Sequence, residues 1–140
     1  MTPHQIKLVQ ESFWQVVPIA ATAADLFYDR LFEIEPHLRS KFPADLSGQK
    51  KKLMAMLGTA VAGLGRLDTL VPQLRALGRR HAGYGVKSQH YASFGTALMW
   101  TLEKGLGAAF TPEVKDAWAI AYILVWTTMD DAASEQPLAA

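Results

Sequence analysis

The 140-residue sequence contains no cysteine. That excludes disulfides, thiolate nucleophiles and zinc sites of the cysteine type, and it is compatible with a reducing compartment. Metal chemistry would have to use histidine or a prosthetic group. Charge is also scarce, at 19% of residues with a formal net charge of +1, so neither the basic footprint of a nucleic-acid binder nor an acidic tail is present. No uninterrupted apolar run reaches membrane-spanning length, and the opening MTPHQIKLVQES lacks the basic start and apolar run of a secretory leader. The expectation is a cytoplasmic protein with no stable membrane insertion and no nucleic-acid partner. No segment alternates strictly between polar and apolar residues, and no repeat or linker is visible, which leaves one helical domain over residues 1–140.

What the sequence does contain is helix punctuation. Thr2-Pro3 with Gln5 reads as a capped start, and Ile6, Val9, Phe13, Val16 and Val17 then follow a helical period until Pro18. A second helix from Ile19 stacks Ala20, Ala24, Phe27, Leu31 and Ile34, with Tyr28 beside the stripe, and stops at Glu35-Pro36. A short helix over Pro36 to Phe42 follows. The corner FPADLSGQ offers Asp45 or Ser47 as the next cap, and Gln49, Leu53, Met56 or Leu57, and Ala60 then share one face. Asp68 is read as capping the helix after that, and Ser88 as capping a long one with Tyr91, Phe94, Leu98 and Leu102 inward, ended by Gly105 and Gly107. Thr111-Pro112-Glu113 is the strongest start signal, opening a helix to about residue 132. The reading is seven or eight helices spanning about residues 3–132, with 133–140 as a frayed tail.

The stretch LRALGRRHAGYGVKSQHY, Leu74 to Tyr91, carries the chemistry. Helical spacing puts Leu74, Leu77 and Gly78 on the side of His81, so the imidazole points inward, while Arg75, Arg79 and Arg80 stay at the solvent edge. Gly83 and Gly85 then end a short helix. Spacing alone leaves two readings open for His81, a hydrogen-bonded core histidine or a ligand.

The words LFYDRLFEIEPHLRSKF, QKKKLM, LGRRHAGYGVKSQHY and AFTPEVKDAW, in this order and with these gaps, are similar to a globin. Over about residues 5–132 the chain resembles the bacterial single-domain type akin to flavohaemoglobin haem domains and Vitreoscilla haemoglobin, and more distantly neuroglobin. The resemblance implies an all-α, three-on-three globin fold around one haem b (iron protoporphyrin IX), with His81 as the axial iron ligand. Leu77 and Val86 would flank it. Phe42 falls where globins wedge a phenylalanine against the porphyrin. Gln49, 32 residues before His81, takes the distal position with Leu53 one turn on, and Tyr28 matches the bacterial-type tyrosine over the iron. Tyrosine and glutamine together imply a polar pocket that donates to dioxygen, and a glutamine leaves the sixth iron position open. Lys52, or Arg80, would meet the propionates. Tyr91 corresponds to the tyrosine that flavohaemoglobins place beside the proximal histidine. Their accompanying glutamate is expected near Ala133, with Asp131 and Glu135 as neighbours.

Two functions follow from the resemblance. One is reversible binding of dioxygen for storage or delivery, with carbon monoxide and nitric oxide as further ligands. The other is nitric oxide dioxygenation to nitrate, dependent on a separate reductase. A gas sensor is a third, less favoured because no output domain follows within the sequence.

Overall fold

The computed structural model describes residues 1–83 and 86–134. Helix α1 (Pro3–Val16) passes through a 3-10 turn, Val17–Ile19, into α2 (Ala20–Ile34), and a second 3-10 segment, Pro36–Lys41, forms the corner before α3 (Ser47–Gly63). Then come α4 (Leu67–Gly83), α5 (Ser88–Leu106), a 3-10 turn at Gly107–Ala109, and α6 (Pro112–Ser134). The expected seven or eight helices are thus six α-helices and three 3-10 segments among the described residues, with no strand. The segment expected as a short helix after Pro36 takes 3-10 geometry, as short connectors do where too few residues are available to repay α-helix nucleation.

The helix starts test the cap assignments individually. Thr2 and Gln5 form the reciprocal box, at 3.1 Å and 2.9 Å, and the Thr111 hydroxyl accepts from the Val114 N–H. Asp45 rather than Ser47 opens α3. Its carboxylate accepts the Ser47 N–H at 3.0 Å, and that bond holds it below the usual carboxylate range. Asp68 lies inside the first turn of α4 instead of preceding it, because the helix begins at Leu67; its charge still faces the positive helix end. Ser88 does not cap α5. The Lys87 N–H is accepted by Nδ1 of His90 at 3.0 Å, and the Ser88 hydroxyl donates to Asp130 at 2.6 Å.

The ends differ less. Helix α4 is not short: it has 17 residues and carries Pro72 inside. Gly105 lies within the last turn of α5, and Gly107, at φ 55°, ends it. Helix α6 runs on to Ser134, and Gly85 and the remainder of the expected tail lie outside the described residues. No helix among the described residues is long and apolar enough to cross a membrane.

The core joins all six helices through Val9, Phe13, Leu31, Val61, Leu70, Leu98 and Trp118. Its polar atoms are paired: the Trp118 indole N–H donates to the Ser12 hydroxyl at 2.8 Å, which donates to the Leu8 carbonyl at 2.7 Å. Helix α4 lies against α6 almost backbone to backbone. A Cβ on Gly78 would clash with the Met129 carbonyl and stand 2.6 Å from its Cα. Only hydrogen fits there, and this contact sets the depth at which α4 presents His81 one turn on.

Gly78→Ala should therefore destabilise the protein despite alanine's higher helix propensity, worth about 1 kcal/mol. Overpacking costs of ~1–3 kcal/mol set the scale. Urea unfolding measures it, and a midpoint equal to or above that of the wild type would show that the two backbones separate freely.

Candidate functional site

His81 sits in the last turn of α4, half-buried, with Leu74 and Gly78 buried and Leu77 half-buried on the same face. Its Nδ1 is 2.9 Å from the Leu77 carbonyl oxygen. A carbonyl only accepts, so Nδ1 carries the proton and Nε2 the lone pair. Burial lowers the pKa of the imidazole; the Leu77 bond opposes that and Arg80 adds to it. A neutral ring, oriented through Nδ1, is the form of histidine that ligates metals. After the helix, the Val86 N–H returns to the His81 carbonyl at 3.1 Å, which holds the half-buried Val86 near the last turn of α4.

A second group is assembled from α2, the corner and α3. Tyr28, expected at the border of the α2 stripe, is 3% exposed. Its ring meets Phe27 at 5.1 Å, Phe42 at 5.7 Å and Phe32 at 5.9 Å between centroids. Burial raises the phenol pKa, and the nearby side-chain amide of Gln49 opposes that rise. The structure therefore brings together Tyr28, Phe42 and Gln49, which lie far apart in sequence. Leu53 is half-buried against the core one turn after Gln49, and Lys52 is exposed beside it. Behind Leu53 lies an apolar cavity of ≈ 20 Å³, bounded also by Phe13, Phe27, Leu57 and Leu98. The larger groove between α5 and α6, ≈ 400 Å³, touches none of these residues.

Arg39, which the sequence reading passed over, holds this corner. Its guanidinium donates to the carbonyls of Phe42, Pro43 and Ala44, at 3.3, 2.9 and 2.9 Å, while lying over the Phe32 ring.

The third group surrounds Tyr91, which is 5% exposed, stacked on Trp126 and edge-on to Phe94. The Tyr122 hydroxyl donates to the Tyr91 carbonyl. Burial, and then the charge of Asp130, push the Tyr91 phenol up to about 12. The carboxylate acting on Tyr91 among the described residues is thus Asp130. Ala133 offers no carboxylate, Asp131 is exposed, and Glu135 lies outside the described residues. The available signal was spacing: Asp130 follows Trp126 by four residues, on the face that Tyr91 covers.

Two buried tyrosines and the half-buried Tyr122 give a pH prediction. Burial raises the phenols of Tyr28, Tyr91 and Tyr122 above the ordinary value. Above about pH 10 the unfolded chain loses these protons and the folded chain keeps them, so the stability present below pH 10 falls as pH rises through that range. Absorbance at 295 nm should show Tyr91 and Tyr122 still protonated at about pH 11 while the helical circular dichroism persists. Full ionisation of a folded protein at that pH would contradict the burial.

The sequence profile of the family described as Globin matches residues 25–129, which include all three groups. The chain is 33% identical over 118 residues to a neuroglobin of Danio rerio, covering 74% of each sequence. It is 33% identical over 106 residues to a flavohemoprotein of Bacillus subtilis and 27% identical over 133 residues to one of Xylella fastidiosa. These alignments take in 72% and 93% of the chain but 26% and 33% of the two flavohemoproteins, so it spans about a quarter to a third of their length. The match over most of the helical core, with helices in the order and spacing described, shows that the chain belongs to the globin family.

Proposed function

We propose that this protein holds haem b through His81 and binds dioxygen reversibly, with Tyr28 and Gln49 as hydrogen-bonding residues on the ligand side. The observation that carries the reading is the Nδ1 bond from His81 to Leu77, which orients a neutral imidazole with Nε2 as the donor nitrogen. The donor set fits the group. The imidazole is accompanied by half-buried Leu77 and Val86, half-buried Phe42 and Leu53 would supply apolar contacts to the macrocycle, and no cluster of three or more acid, histidine or cysteine ligands competes for a metal among the described residues. Bound haem supplies a ferrous iron that takes a diatomic ligand reversibly.

The chain's own residues do the rest. Leu77 fixes the tautomer of His81. Neither Gln49 nor Leu53 is a competent iron ligand, so the gas side stays open to dioxygen, carbon monoxide and nitric oxide. The Tyr28 O–H, with the Gln49 side chain close by, would donate to a ligand atom that carries partial negative charge, in surroundings much drier than water. Lys52, exposed on α3, supplies a cation at the rim for the propionates.

The two flavohemoprotein relatives and the Tyr28–Gln49 pair support a second reading, nitric oxide dioxygenation with a separate reductase. Repeated turnover of nitric oxide with an added reductase marks that activity; a single stoichiometric event marks oxygen carriage.

His81→Gly should lose stably bound haem, and unchanged haem content with an unchanged ferrous spectrum would end the assignment. Tyr28→Phe should speed oxygen dissociation roughly 10- to 100-fold, since hydrogen bonds to charged groups contribute about 1.5–3 kcal/mol and each ~1.4 kcal/mol is a factor of ten. Carbon monoxide, less polarised, should respond much less. Stopped-flow displacement of oxygen by carbon monoxide gives the rate, and a change within about twofold, a few tenths of a kcal/mol, would reduce Tyr28 to core packing.

A further inference from the structure

Helices α2 and α5 are joined at one end by polar groups that the oxygen-binding reading does not use. His90, the third residue of α5, is 2% exposed. Its Nδ1 accepts the Lys87 N–H, the role that glutamate or glutamine plays in a capping box. A ring nitrogen that accepts carries no proton, so the bond requires His90 to be neutral, with its hydrogen on Nε2. The ring lies 5.9 Å from that of His37 in the corner segment. His37 Nδ1 is 3.3 Å from one Glu35 oxygen, and the other Glu35 oxygen accepts the Ser93 hydroxyl at 2.9 Å. Ser93 stands three residues after His90 on α5. The corner is thus tied to the first turns of α5 by two adjoining contacts, one through a carboxylate and one against an imidazole that must stay unprotonated.

The charged groups acting on His90 are Glu35, His37 and Lys41 from the corner and Lys87 from the start of α5. Burial weighs most heavily against a proton there, Glu35 favours one, and His37, Lys41 and Lys87 oppose it, so the pKa of His90 lies below the ordinary histidine value.

We propose that Glu35, His37, His90 and Ser93 form an acid-opened clasp, in which proton uptake at His90 removes the cap of α5 and frees the corner that carries Phe42. A protonated Nδ1 would set an N–H donor against the Lys87 N–H. The ring must then turn away, and His37, across the 5.9 Å ring contact, opposes the added charge. Phe42 follows the corner directly and touches Tyr28, while Tyr91 adjoins His90. Opening the clasp loosens two of the three site groups together. The consequence for gas binding rests on the haem reading; the clasp itself does not.

The sign follows from linkage. With the folded-state pKa below the unfolded value of about 6.5, the contribution of the clasp is complete above that pH and is lost as pH falls through it toward the folded value. The test uses the purified protein between about pH 7.5 and about pH 5. Backbone amide exchange read by NMR should show the protection factor of the Lys87 amide falling at least tenfold, about 1.4 kcal/mol, with a parallel fall in the thermal midpoint. His90→Gln offers an acceptor oxygen that does not titrate, and should hold the Lys87 protection and most of the thermal midpoint across the range. Protection in the wild type that stays constant to pH 5, or a His90→Gln midpoint that falls in step with the wild type, would overturn the proposal. If His90→Gln does not fold, ¹⁵N shifts of the wild-type imidazole decide: an Nδ1 already protonated at pH 7.5 sinks the clasp, and an unprotonated one that titrates together with the Lys87 amide supports it. Amide exchange is read whether or not haem is bound, so failure of the clasp is distinguishable from failure of the haem assignment.

Discussion

The constraint on which the site depends is the approach of two helix backbones where Gly78 meets Met129. Helix packing normally holds axes 8–10 Å apart through interleaved side chains. Here one side of the contact has no side chain, so α4 sinks against α6. The neighbours of that contact are the functional groups: His81 follows Gly78 on α4, and Asp130 follows Met129 on α6, where it takes the Ser88 hydroxyl and raises the Tyr91 phenol. The turn that carries His81, the start of α5 and the surroundings of Tyr91 are consequently one mechanical unit.

Polar groups in this unit are paired in ways that also fix geometry. The carbonyl of Leu77, within α4, also accepts from Nδ1 of His81. The Lys87 amide, an orphan at a helix start, is taken by His90. The Tyr122 hydroxyl reaches the Tyr91 carbonyl inside α5, and Gly95 is required beside it, since a Cβ there would stand 2.7 Å from the Tyr122 ring. Each bond is partly buried, and each also sets the angle of an aromatic or imidazole ring in the site.

The parts of this arrangement that were legible in the sequence are those set by neighbours along the chain. The Thr2–Gln5 box, the Thr111-Pro112 start and the inward face of His81 depend on separations of three or four residues, where spacing and structure coincide. Ser88 and Asp68 misled for a physical reason: a hydroxyl or carboxylate at a helix start can cap, but its partner is decided by what packs nearby. For Ser88 that is Asp130, 42 residues on. His90 was invisible as a cap because histidine seldom fills that role. The grouping of Tyr28, Phe42 and Gln49 came from family resemblance, since nothing local in α2, the corner or α3 states that the three converge. A carboxylate was expected near Ala133, with Asp131 and Glu135 as neighbours, whereas the one acting on Tyr91 is Asp130, one helical turn after the Trp126 that stacks on it.

Arg39 has a consequence for how this corner can change. Three successive carbonyls, of Phe42, Pro43 and Ala44, take hydrogen bonds from a single guanidinium. The path of the backbone there is encoded by a residue upstream of the loop, not by the residues within it. Pro43 and Ala44, both exposed, are therefore interchangeable with other residues that tolerate the same dihedral angles, whereas a change at Arg39 would alter a loop whose own sequence was untouched. Variation among chains that share this device should then divide unevenly, with drift in the loop and constancy one turn before it.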